Sequence, residues 1–170
     1  MSKTFERNLW EKTCKEKSTY KSLREDTISD LTIVGGGFTG CSAALEASTL
    51  GARVTLLEAN DIGFGGSGRN VGLVNAGLWL PPDQIIEILG QEQGQSIIKS
   101  LGKAPELVFS LIEKHNIDCE AQRNGTLHCA HSSKGMDYLK KRRAQAENYN
   151  EPLSLLDKNE TDHRTGSSRF

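Results

Sequence analysis

The feature that most limits how this chain can fold is a strand, a glycine turn, a helix and a second strand, in that order, between residues 30 and 58. Asp30-Leu31-Thr32-Ile33-Val34 reads as a short apolar strand and runs directly into Gly35-Gly36-Gly37-Phe38-Thr39-Gly40. A helical stretch follows. Then comes the strand-like Arg53-Val54-Thr55-Leu56-Leu57-Glu58, with its acid 18 positions after the third motif glycine. A lone G-x-G-x-x-G is weak evidence. After a strand, opening a helix and followed by an acid at this distance, it is a dinucleotide-binding βαβ fingerprint. The expected fold class is α/β, on a parallel Rossmann-like unit.

Each part of the fingerprint has a physical task. Gly35 permits the tight strand-to-helix turn, Gly37 leaves room for a pyrophosphate close to the backbone, and Gly40 lets the helix approach the sheet. The helix N-terminus at Phe38 and Thr39 offers unpaired N–H groups and partial positive charge to an anion. Glu58, followed by Ala59, can accept from both hydroxyls of an adenosine ribose and repels a 2′-phosphate, which argues against NADP. Cys41, Ala43, Ala44, Ala47 and Ser48 keep the helix slim against the sheet, and Gly51 stands where a C-terminal cap belongs. The second strand is a nearly continuous apolar run, as expected of a parallel strand covered on both faces.

The stretch from Asp61 to Gly72 narrows the choice of dinucleotide. Its five glycines, with Ser67, Arg69 and Asn70 among them, form a second backbone segment suited to anions. An NAD-type unit enters its next helix at this point, whereas a flavin site of the glutathione-reductase-like type wraps such a loop round the pyrophosphate and ribityl chain. Gly63 to Asn70 also has the outline of a P-loop, but it follows no strand directly. It has Arg69 and Asn70 where a P-loop needs Lys and Ser or Thr, so a kinase or ATPase is excluded.

These blocks resemble the D-amino-acid-oxidase-like family of FAD-dependent oxidoreductases, and within it the bacterial γ-glutamylputrescine oxidoreductases. The matching residues are Ile33 to Gly40, Leu57-Glu58-Ala59 and Ile62 to Asn70. Weaker echoes lie at Asn116 to Cys119, Gly125 to Leu127 and Thr165 to Ser167, and one departure is Val71, where these relatives carry glycine. The resemblance implies FAD as cofactor, held by Gly35, Gly37, Phe38, Thr39, Gly40, Glu58, Ala59, Ser67, Gly68, Arg69, Asn70 and Gly72. It further implies oxidation of a C–N bond in a small amine or amino acid, a γ-glutamylputrescine-like compound among them, with a hydride equivalent passing to the flavin N5. No residue of this chain stands out as the acid or base. Family members are much longer, so the expectation is an N-terminal fragment, inactive by itself. Residues 1–29 would be an arm, 30–118 the FAD-binding part with a helical connection, and 119–170 the incomplete start of an α+β substrate domain. Two other readings stay open, an NAD-dependent dehydrogenase fragment and a non-catalytic nucleotide-binding protein.

Composition limits the rest. With 36% hydrophobic residues and a mean hydropathy of −0.48, the core should be thin for 170 residues. The net charge of −1 gives no global attraction for nucleic acid. No run approaches the length of a transmembrane helix, and Met1 to Glu16 lacks the apolar centre of a signal peptide. Cys14, Cys41, Cys119 and Cys129 form no paired framework, which fits a cytoplasmic protein.

Beyond the loop, Pro81-Pro82-Asp83 predicts a stop and a helix capped by Asp83, with Ile85, Ile88 and Leu89 at helical spacing up to Gly90. A second apolar stripe, from Ile97 to Ile112, should be core and should split at Gly102 and Pro105. Residues 119 to 131 have the pattern of a β-hairpin turning at Asn124-Gly125. On such a hairpin His128 and His131 face opposite sides, so no metal site is expected. A charged helix is predicted over 134–149, its Lys140-Lys141-Arg142-Arg143 cluster spread round the helix as a solvated face. Asn150 to Phe170 shows no clear pattern.

Overall fold

The computed structural model describes residues 8–16, 19–78, 80–149 and 151–170. Within it the chain packs as two units, residues 1–73 and 74–170.

The first unit begins with a single helical turn, α1 (Leu9–Thr13), capped where the Asn8 side chain accepts from the Glu11 N–H at 2.9 Å. The βαβ unit follows as β1 (Leu31–Val34), α2 (Phe38–Thr49) and β2 (Val54–Leu57). The two strands are parallel and in register from Leu31 opposite Val54 to Val34 opposite Leu57. At their entry ends, Arg53 grips Asp30 with its backbone N–H at 2.9 Å and its guanidinium at 2.9 and 3.2 Å. Because both side chains are exposed, this clip fixes the register and adds little stability.

Gly51 meets its expectation as the C-terminal stop. Its φ of 89° carries the chain through the left-handed region, and the N–H of Ala52 returns to the Ala47 carbonyl at 3.0 Å. The expectation of strands covered on both faces is corrected. β2 is half-buried at all four positions, while Val34 on β1 is 85% exposed. Among the described elements of this unit, α2 is the helix that packs on the sheet, and one helix covers one face.

The second unit contains α3 (Pro82–Leu89), α4 (Gln91–Gly102), α5 (Ala104–Lys114), α6 (Ser133–Asn148) and α7 (Lys158–Thr165). The cap of α3 falls two places earlier than the sequence predicts. Pro81 is the cap, Pro82 fills the first helical position, where a missing N–H costs nothing, and Asp83 sits in the first turn. Gly90, at φ 79°, separates α3 from α4. The two helices approach closely at Gly94, where a Cβ would stand 2.8 Å from the Ile86 Cα. Pro105 stands in the first turn of α5, just past the break after Gly102, and the apolar stripe is split there as expected.

That stripe is only partly core. Leu107 is 61% exposed and the positions from Ile97 to Leu101 are at best half-buried. The buried apolar side chains among the described residues are Ile85 and Ala146, a thin core in line with the composition.

Residues 119–131 form no strands, which corrects the hairpin expectation. Gly125 takes the positive φ of a turn, at 75°. A two-stranded hairpin is marginal by itself, however, and the segment instead ties to its own unit through Thr126 Oγ1 and Asn75 Oδ1 at 2.7 Å. The charged helix forms one residue earlier than predicted, capped by Ser132 accepting from the Gly135 N–H at 3.1 Å. The sequence reading missed α7. Its signals are Asp157, which caps the Glu160 N–H at 2.8 Å, a Glu160–Arg164 pair one turn apart, and Gly166 in the left-handed conformation at φ 67°.

Candidate functional site

Three segments of the first unit meet at the carboxyl ends of the parallel strands: the β1–α2 turn, the residues leaving β2, and the glycine-rich loop. The turn is set by Gly35, whose φ of 104° only glycine adopts readily and whose N–H donates to the Leu57 carbonyl at 2.7 Å. Gly40 is buried against that turn, and a Cβ there would collide with the Gly35 carbonyl oxygen. The close helix-to-strand approach assigned to this glycine is therefore present. Phe38 and Thr39 form the exposed first turn of α2, where the N-cap Gly37 supplies no side-chain hydrogen bond. Orphan N–H groups and the positive end of the helix dipole are left at that end.

Glu58 closes the second side. Its Oε2 accepts from the Gly36 N–H at 2.8 Å and its Oε1 from the Asn60 N–H at 3.0 Å. The Gly36 bond is the main reason its carboxyl is held below the usual glutamate range, aided by Asn60 and by the Ala59 backbone, while partial burial opposes them. The group is thus ionised at neutral pH and keeps free lone pairs for hydroxyl donors.

The loop forms the third side. Ser67 and Gly68 belong to a short 3-10 turn, Gly66–Gly68, and a Cβ on Gly68 would strike the Gly63 carbonyl. Ser67 Oγ accepts from the Phe38 N–H at 3.0 Å, which leaves its own proton free to donate. A Cβ at Gly37 would lie 2.9 Å from that same oxygen. Asn70 donates from Nδ2 to the Ser67 carbonyl and accepts at Oδ1 from the Gly72 N–H at 2.6 Å. Arg69 is exposed and lies over the Phe64 ring, 4.9 Å from its centroid.

Gly37, Phe38, Glu58, Ser67, Asn70 and Gly72 are thus joined into one cluster directly or through Gly36. Thr39 and Ala59 border it as exposed positions. The residue the sequence reading passed over is Gly36. It is buried, its N–H holds Glu58, its carbonyl accepts from the Gly63 N–H at 2.8 Å, and a Cβ on it would overlap the end of Ile62. The signal was available in the middle one of three consecutive glycines, a position the G-x-G-x-x-G pattern treats as free.

The histidines do not converge. In the second unit His128 lines a hollow of about 210 Å³, and His131 lines a different one of about 450 Å³. Among the described residues no three His, Cys, Asp or Glu side chains are grouped as metal ligands, and no helix is long and apolar enough to cross a membrane.

Residues 30–169 match the family model described as FAD dependent oxidoreductase. The chain is 34% identical over 163 residues to a probable oxidoreductase OrdL of Rhizobium meliloti (strain 1021), covering 95% of this chain and 38% of that protein. It is also 34% identical over 157 residues to the gamma-glutamylputrescine oxidoreductase of Escherichia coli (strain K12), covering 89% and 35%. A shorter stretch of 66 residues is 46% identical to an aerobic glycerol-3-phosphate dehydrogenase of Staphylococcus aureus (strain USA300), covering 39% of this chain and 12% of that one. The chain therefore spans little more than a third of the length of the first two relatives. No solved structure matches it significantly. With a βαβ unit whose turn, acid and glycine loop close on one point, and a match covering nearly all of the sequence from residue 30 onward, the chain belongs to the DAO family of FAD-dependent oxidoreductases.

Proposed function

We propose that this chain is the FAD-binding portion of an oxidoreductase that oxidises a C–N bond of an amine or amino acid. The observation that carries the reading is the convergence of Gly36, Glu58, Ser67 and the α2 N-terminus through two hydrogen bonds, Gly36 to Glu58 and Phe38 to Ser67. The residues present fit the group. Glu58 is ionised and keeps acceptor capacity for two ribose hydroxyls, while the backbone at Gly37 and the N-terminus of α2 suit a pyrophosphate. The Ser67 hydroxyl, its lone pair engaged by Phe38, can turn its proton to an anion. Gly68, Arg69, Asn70 and Gly72 then form the flavin-side wall of a glutathione-reductase-like site, and Arg69 adds positive charge there. When bound, FAD supplies the hydride-accepting chemistry, and the protein supplies position and electrostatics.

The amine or amino-acid substrate is supported by the name of the E. coli relative, and a γ-glutamylputrescine-like compound is the substrate to try first. Residues 1–29 act as an arm on this FAD-binding part, and 119–170 begin an α+β substrate-binding portion. Four free cysteines fit a reducing compartment such as the cytoplasm.

The test is the visible spectrum of the folded 170-residue chain after FAD is added and the excess removed. A retained flavin band is expected. Tight NAD binding without affinity for FAD would point instead to a nicotinamide dehydrogenase.

A further inference from the structure

The glycine loop has an outer support that neither the fingerprint nor the family match identifies. Trp10, on α1, donates its indole N–H to the Asn70 carbonyl at 2.7 Å across 60 positions of sequence. The ring also occupies the space that a side chain at Gly72 would need. A Cβ there would lie 2.9 and 3.1 Å from Trp10 Cζ2 and Cη2, and Gly72 sits at φ 77°. From Asn70 the contacts run inward. Its side chain holds the Gly72 N–H and the Ser67 carbonyl, and Ser67 Oγ receives the first-turn N–H of α2 from Phe38. An unbroken series of contacts thus leads from Trp10 to the N-terminal end of α2.

We propose that Trp10 is a positioning residue for the cofactor. It sets the backbone of residues 69–72 to face the flavin half of FAD, while the ADP half relies on Gly35 to Gly40, Glu58 and the Ser67 hydroxyl at the α2 N-terminus. This rests on the proposed reading of the loop as the flavin-side wall. The geometry has a definite asymmetry. Trp10 touches Asn70 and Gly72, whereas Glu58 is held independently by Gly36 and Asn60. Loss of the indole should therefore weaken FAD much more than ADP.

The experiment measures FAD and ADP affinities of the full chain and of Trp10→Ala and Trp10→Phe, with circular dichroism to compare folding. For Trp10→Ala the expected loss in FAD affinity is about tenfold, with ADP changed by less than about twofold. Trp10→Phe keeps a ring over Gly72 without the indole N–H, so its FAD affinity should fall by about threefold. The FAD-dependent quenching of tryptophan emission should be smaller in both variants than in the wild-type chain. FAD affinity unchanged in a folded Trp10→Ala, or FAD and ADP weakened in parallel, overturns the proposal. Should Trp10→Ala fail to fold, Trp10→Phe decides: a selective loss for FAD supports the role and unchanged affinity overturns it. A wild-type chain that binds ADP but not FAD overturns the flavin-side reading and this inference with it. One that binds neither overturns the nucleotide site altogether.

Discussion

Glu58 is where chemistry and folding meet most directly, because one carboxylate ties Gly36 to the end of β2 and offers acceptors to a ribose. Replacing it with Gln turns an NH₂ group toward backbone N–H donors and removes the charge. FAD affinity in Glu58→Gln should drop at least tenfold, about the value of one charge-assisted hydrogen bond, with the secondary structure retained. Equal affinity in the folded variant, read by fluorescence titration, would remove Glu58 from the site. The same bonds give a pH signature. The folded carboxyl titrates below its unfolded value of about 4.3, so its stabilisation is complete above that pH. It is lost as the pH falls through the lower folded value. An acid titration followed by circular dichroism should therefore show the wild-type chain losing stability below about pH 4.3 more steeply than Glu58→Gln. Gly37 supplies a sharper test of the cradle. In Gly37→Val the new side chain meets Ser67 Oγ, displaces the partner of the Phe38 N–H and fills the space a pyrophosphate needs, so retention of FAD should be abolished. Normal flavin retention by that variant would show that the turn does not bind the cofactor.

At the scale of elements, two glycines fix how closely helices can come. A Cβ at Gly40 meets rigid backbone, the Gly35 carbonyl, so Gly40→Ala must push α2 away from the strand ends. The β1–β2 pairing and FAD binding should be lost together, read as lower ellipticity and a colourless protein. Gly94 plays the corresponding role between α3 and α4, where the obstacle is the Ile86 backbone. Alanine improves helix propensity by about 1 kcal/mol, but forcing a methyl group into this contact costs about 1–3 kcal/mol, so Gly94→Ala should lower the urea midpoint. These approaches were only partly legible. Gly40 could be assigned because the fingerprint prescribes its role. Gly94 could not, since its partner Ile86 is known only once α3 and α4 fold back on each other. The lost hairpin and the missed α7 have the same origin. Asn124-Gly125 is a strong local turn signal, yet strands need neighbours to hold them, while the Asp157 cap and the Glu160–Arg164 pair are local signals that weak apolar patterning concealed.

Over the whole molecule the small core is the dominant physical fact. Ile85 and Ala146 are the buried apolar side chains among the described residues, while Val34, Phe38, Leu50 and Val71 remain largely exposed in the first unit. Hydrophobic burial therefore contributes little stability, and a bound nucleotide should contribute a large share. At about 100 times its Kd, FAD should add about 2.7 kcal/mol, visible as a rise in the thermal midpoint. A flat midpoint across an FAD titration would contradict specific binding to the folded chain. The sequence by itself determined the order of the βαβ unit, the positions of its glycines and acid, and the cofactor class, because these depend on local conformation and on spacing along the chain. Only the tertiary structure decided that Gly36 is the joint between the three segments, that Ser67 reaches the first turn of α2, and that Trp10 supports the loop from 60 residues away. Those contacts join side chains and backbone atoms far apart in sequence, and no local propensity or periodicity encodes which of them meet.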